Sequence, residues 1–367
     1  MTIYMKKILK KIRSHKIAQA LSSVKIMVVC LALLFILTFW GTAAQVNLGL
    51  YQAQQKFFYS WFFFFLGFIP FPGARLILWV MFVNLTVVLL ARFVYKWSNL
   101  GLLIIHLGLL LYFYSAFVIF HFSQESQMTL LEGEGSNVSS AYHDWELSVW
   151  EEREGFQKDV FAYDVLNFHP GRILDFDDLM FQLTVENFYP NAQAYTSGIK
   201  YLSSLPIHKE PEKNLPGGIF QLTTADGNAL HLLLYAGEKM PTQIEAGDRK
   251  LNFALRPKRF VLPFTLTLKQ FDMEIYPGTE TARSYQSKVQ IEDKNLSREV
   301  LIYMNNPLRY KDFTFYQASY SIDDLGREHS TLAVVKNGNR LLPYIACFVT
   351  FLGLVTHFLV MGIFRKR

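Results

Sequence analysis

"NLGLLIIHLGLLLYFYSAFVIF", Asn99 to Phe120, decides the architecture of this 367-residue chain. The stretch holds no Asp, Glu, Lys or Arg. A run of ~20 such residues crosses a ~30 Å hydrocarbon core as a helix. Its one imidazole is His106, and His121 follows directly after it. Polar groups at such depth are costly and mark function by default, although a histidine can also bond across helices and add about 1 kcal/mol to packing.

Three further runs share this character. "VKIMVVCLALLFILTFWGTAA" is too long for the core of a cleavable signal peptide and reads as a retained helix at about 24–44. A second span is expected at about 76–95, the quoted stretch forms the third at about 99–120, and "LLPYIACFVTFLGLVTHFLVMGIFRKR" supplies the fourth within 341–367. "FFYSWFFFFLGFIPFPG" is apolar for only about 13 residues before Pro70, so 57–69 is expected to be interfacial or re-entrant. Trp40, Trp61, Trp79 and Trp97 read as interface anchors.

Charge divides the chain in the same way. All 30 acidic residues lie between Glu125 and Glu328. Of the 36 Lys and Arg residues, 11 precede residue 123 and 3 follow residue 340. The basic residues of "MKKILKKIRSHK", Arg92, Lys96 and the final "RKR" fall on one side of four spans. That side is the cytoplasm by the positive-inside rule, so both termini face inward and the large middle segment is exported. Basicity clustered at membrane edges gives no reason to expect nucleic acid.

The middle segment, 123–340, alternates with period two in "FQLTVENFYP", "LHLLLYAGE" and "FTFYQASYS", between Pro, Gly and Asn breaks. It reads as a mainly antiparallel β domain, a sandwich or open barrel, with two subdomains possible near "HKEPEKNLPGG". The chain is thus divided into 1–122, 123–340 and 341–367. No phosphate loop, His-x-x-x-His pair or nucleophile elbow is present. Glu132 and Glu134 of "LEGEGS" read as turn residues, and His143, His169, His208, His231 and His329 are scattered without ligand spacing. Cys30 and Cys347 sit near opposite membrane faces and are expected to be unpaired packing residues.

His106 lies ~9 Å and His357 ~11–12 Å from the inner edge by helical rise, so the two imidazoles are expected at one membrane level. His121 comes ~22 Å above His106, near the outer surface, where histidines are ordinary. A neutral imidazole is an iron ligand through either ring nitrogen. Spacing alone leaves haem ligation and helix packing both open.

"GTAAQ", "GLLIIHLGLLL", "LLEGE", "FDMEIYPGTETARSYQSKVQI", "IYMNNPLRYKDFTFYQASY" and "LPYIACFVTFLGLVTHF", in that order, resemble the ResB/CcsB family of system II cytochrome c biogenesis. The resemblance implies a bacterial inner-membrane subunit of a haem exporter and cytochrome c synthase. A ResC/CcsA partner would carry the Trp-rich catalytic segment, which this chain lacks. By the same resemblance His106 is the haem axial ligand candidate, with haem b held transiently and its counter-ligand from the partner; His357 is a weaker candidate. Apocytochrome c is the implied client, and thiol-reducing proteins are further candidate partners. A non-haem-binding scaffold for partner and apocytochrome stands beside this reading, as does a membrane sensor or transporter unrelated to haem.

Overall fold

Ser23 opens the first long helix, its hydroxyl accepting from the Lys25 amide, and Gly49 at φ 78° closes it. In the computed structural model, residues 14–65, 67–151, 160–176, 181–197, 199–224, 227, 229–246, 249–279, 281–294 and 296–365 are described. Most of the basic N-terminal stretch, up to Arg13, and Lys366 and Arg367 lie outside them. The chain divides into two units, residues 1–123 with 337–367, and residues 124–336.

The first unit holds α1 (Lys16–Leu21), α2 (Val24–Leu48), α3 (Ala74–Val87), α4 (Leu100–Phe122) and α5 (Leu342–Arg365). A π-helical turn, Val88–Arg92, extends α3, and a 3-10 turn, Trp97–Asn99, leads into α4. Four helices, Val24–Leu48, Ala74–Arg92, Trp97–Phe122 and Leu342–Gly362, are long and apolar enough to cross a membrane. They leave large apolar side chains such as Phe35 and Phe39 about three-quarters uncovered. Side chains of that kind on every face suit lipid rather than water, and the chain is a multi-pass membrane protein.

Residues 57–69 finish a π-helical turn, Gln54–Tyr59, and then enter a hairpin of β1 (Phe62–Phe65) and β2 (Ile69–Pro72). Trp40 is not a bare interface anchor. Its indole meets Phe57, Phe63, Phe65 and Phe71 at centroid distances of 4.6–6.0 Å, joining the hairpin to α2. Asn84 is a buried polar group on α3; its Nδ2 donates to the carbonyls of Leu21 (2.6 Å) and Ser23 (3.0 Å). It thereby satisfies the carbonyls exposed where α1 turns into α2.

In the second unit β3 (Gln124–Leu131), β4 (Gly135–Glu151), β5 (Val160–Asp164), β6 (Ile173–Phe176), β7 (Phe181–Tyr189), β8 (Ala192–Ser197) and β9 (Ile199–Ser204) come first. Next come β10 (Gly217–Thr224), β11 (Ala229–Tyr235), β12 (Thr242–Ala246), β13 (Arg249–Ile275) and β14 (Ala282–Asp293). The last are β15 (Leu296–Tyr303), β16 (Leu308–Tyr310), β17 (Phe313–Ile322) and β18 (Glu328–Lys336). Among the described residues a ten-stranded sheet runs β15-β14-β13-β4-β3-β18-β17-β16, with β12 on β13 and β5 on β4. A four-stranded sheet, β11-β10-β7-β6, and a β8-β9 hairpin complete an antiparallel architecture.

The long strand β13 serves two cores, and β4 joins it in the first. Leu147, Val149, Leu251 and Phe253 at one end pack under the four-stranded sheet with Leu183, Phe220 and Leu234, as in a sandwich. Leu262, Leu266 and Leu268 at the other end join Met128, Ile291, Phe315 and Leu332 of the same large sheet, which curls as an open barrel. Ser287 on β14 bonds across this barrel to Gln317 and to Ser330, both at 2.7 Å. The changeover falls where the β4–β13 register shifts, between Pro257 and Arg259 and again between Val261 and Leu266. Proline cannot donate to a ladder, so these positions carry the irregularities. Both cores lie within the one compact unit of residues 124–336.

Candidate functional site

Helix α4 carries His106 and His121, and α5 carries His357. Glycines fix how the two helices cross. A Cβ on Gly101 would lie 2.2 Å from the His357 amide nitrogen, one on Gly353 2.6 Å from the Ile105 nitrogen, and one on Gly108 2.3 Å from Thr350 Oγ1. These contacts step in opposite directions along the two helices, so α4 and α5 are antiparallel and in near backbone contact. Small residues permit such an approach in membranes.

That register separates the two candidate ligands. His357 lies opposite Gly101, whereas His106 is five residues further along α4, about 7.5 Å away along the axis. His106 also sits about 140° around α4 from Gly101, so it faces away from α5. The expectation of one shared level does not hold: it assumed that both spans end in the same plane, whereas the glycine contacts set the offset.

Local chemistry distinguishes the three imidazoles. His106 Nδ1 donates to the Leu102 carbonyl at 2.7 Å, and the ring meets Phe93 edge-on at 5.9 Å. A carbonyl can only accept, so the proton of a neutral ring is fixed on Nδ1 and the Nε2 lone pair is left for a metal. His121 repeats this one helix end away, with Nδ1 bonded to the Phe117 carbonyl at 2.9 Å. His357 Nδ1 is buried and, among the described residues, has no hydrogen-bond partner. Its backbone and Cβ press on Gly101.

The histidines of the β unit are committed elsewhere. His231 Nδ1 lies 3.1 Å from Glu186 Oε1, and His329 Nε2 lies 3.4 Å from Asp323 Oδ2. The Arg327 amide and guanidinium hold the Asp323 carboxyl at about 2. Glu132 and Glu134 accept from the Phe271 and Leu131 amides, closing the turn at Gly133. Among the described residues no three His, Cys, Asp or Glu side chains gather as a metal cluster. Cys30 and Cys347 are both free.

Sequence reading passed over Arg75. This lone cation at the start of α3 lies over the rings of Trp61 (4.8 Å) and Phe120 (5.4 Å). The signal was available: Arg75 is the one Lys or Arg between Lys56 and Arg92, in a stretch without any acid.

Residues 231–341 match the ResB-like family. Protein NrfI of Wolinella succinogenes is 32% identical over 114 residues, covering 30% of this chain and 12% of NrfI's length. The likeness to ResB proteins read from the sequence thus holds, and the matched family segment runs from β11 to the threshold of α5. It stops short of His357 and includes neither His106 nor His121.

Proposed function

We propose that this chain is a membrane subunit of a system II cytochrome c biogenesis complex, helping to pass haem outward across the bacterial inner membrane. The observation that carries the reading is His106. Its Nδ1 bond to Leu102 presents a free Nε2 lone pair within an apolar span, on the face of α4 turned away from α5. The haem macrocycle suits that span, and an axial imidazole holds its iron. Because His357 lies on another face, the second axial ligand comes from outside this chain, from a ResC/CcsA-type partner. That partner would also supply the haem-attaching chemistry, with both termini of this chain cytoplasmic and the β unit outside. There each client thiol adds its S–H across a haem vinyl group, forming a thioether without net oxidation.

One finding favours a scaffold reading: the family match covers the later half of the β unit and none of the membrane histidines. The two readings part in a cell lacking this chain and carrying a plasmid copy, assayed by haem staining of membrane c-type cytochromes. Haem handling predicts that His106→Ala lowers the stain about tenfold or more while His357→Ala restores wild-type levels. Full restoration by an assembled His106→Ala subunit would overturn the haem-handling role and leave the scaffold.

A further inference from the structure

A cavity of about 410 Å³ opens in the membrane unit between α3, α4 and the turn at Tyr59. That volume is within the ~300–1,000 Å³ of small-molecule and cofactor sites. Its walls are aromatic: Phe58, Trp79, Phe82, Phe113, Phe117 and Phe120. Besides the Tyr59 and Tyr114 hydroxyls, two polar side chains complete them, Arg75 from the first turn of α3 and His121 from the last turn of α4.

Neither polar group is explained by structure alone. Among the described residues Arg75 has no carboxylate partner, and the chain contains no acidic residue before Glu125. Its guanidinium rests on the aromatic faces of Trp61 and Phe120, where cation–π attraction is worth ~0.5–2 kcal/mol and leaves the N–H donors to an anion. His121 has its proton placed on Nδ1 by the Phe117 carbonyl, so Nε2 is the ligating nitrogen. The cavity therefore combines flat apolar walls, a nitrogen lone pair and an unpaired cation.

We propose that this cavity is a second haem seat, with His121 as axial ligand, the aromatic walls against the macrocycle and Arg75 paired to the propionates. The choice of haem rests on the function proposed above, and the seat extends it. A phospholipid would use the walls and Arg75 but has no need of an imidazole. The position adds to the argument. His121 follows His106 by about 22 Å and only about 60° around α4, so both imidazoles lie on one side of the helix. That side faces α3 and the chain that follows it, since Trp79 of α3 meets Phe117 at 5.6 Å and Phe93, just past the π-helical turn, meets His106. Haem released from His106 would meet His121 at the outer end of the same helix.

The test titrates hemin into the detergent-purified full chain and follows the Soret band. In a His106→Ala background one hemin is expected to bind, as an imidazole-ligated species. Adding His121→Ala should abolish that species, and free imidazole should restore it, which separates ligand loss from misfolding. Arg75→Gln should weaken binding about tenfold, the scale of a lost charge-assisted bond, for hemin but not for its dimethyl ester. Hemin affinity indifferent to both His121→Ala and Arg75→Gln would overturn the proposal and make the cavity a lipid seat. No hemin bound by His106→Ala would overturn it too. Wild-type behaviour of His106→Ala, with all binding lost in His121→Ala, would support this seat and instead refute His106 as ligand.

Discussion

Gly101→Leu is expected to lower the thermal midpoint of the detergent-solubilised chain sharply and to separate α4 from α5. The reason is geometric. Even the first added carbon would sit 2.2 Å from the His357 nitrogen and 2.3 Å from its Cα, both backbone atoms that no rotamer change can move. The helices must part, opening the neighbouring contacts at Gly108–Thr350 and Gly353–Ile105. Overpacking typically costs about 1–3 kcal/mol, and a clash that spreads along a crossing belongs at the top of that range. Gly362, five residues beyond His357 on α5, has nothing within 4 Å of a built Cβ. Gly362→Leu should stay within about 0.5 kcal/mol of wild type. Similar midpoints for the two variants would mean that the crossing is not glycine-limited.

Glu146→Ala is expected to destabilise the β unit by about 3 kcal/mol, the lower end of the cost of breaking a buried ion pair. Glu146 is buried on β4, and its Oε1 lies 2.9 Å from Arg256 Nε on β13. Removing the carboxylate leaves the half-buried Arg256 beside Arg259, whose own pKa is lowered by burial and then by Arg256. The lower end applies because the Arg256 side chain keeps 18% of its surface. Glu146→Leu with Arg256→Met should recover much of the loss, since an apolar pair of similar volume avoids the desolvation cost. Trp145 and Trp150 flank the site and report unfolding by fluorescence. A loss in the double variant as large as in Glu146→Ala would point to packing rather than charge.

Much of this architecture could be read before any coordinates, and the reasons differ by element. The Asn99–Phe120 run identifies itself because lipid demands ~20 apolar residues and every backbone group paired within the helix. Strand alternation in "FQLTVENFYP" appears as β7 because one face is buried against a core. The continuity of β13 was visible, since "LNFALRPKRFVLPFTLTLKQFDMEIYPG" alternates as one run; what the sequence did not carry is that the ladder shifts register in the region of Pro257 and Pro263. Residues 57–69 were too short to span and too apolar for a loop; that they form a hairpin against Trp40 depends on partners distant in sequence.

The site was legible residue by residue but not in its arrangement. His106 stands out as a titratable group in an apolar run. Its separation from His357 depends on which glycines meet across α4 and α5, a fact of tertiary register that depth counting does not carry. The small residues Gly101 and Gly108, seven apart on α4, were the available clue. His121 and Arg75 each look ordinary at a membrane edge; only the fold places them around one aromatic cavity.

The most direct measurement is the visible absorption spectrum of the full chain, coexpressed and purified with a ResC-type partner, wild type against His106→Ala. The account predicts one haem fewer per complex in the variant, restored when imidazole is added. Unchanged haem content and band positions in a fully assembled His106→Ala complex would contradict it.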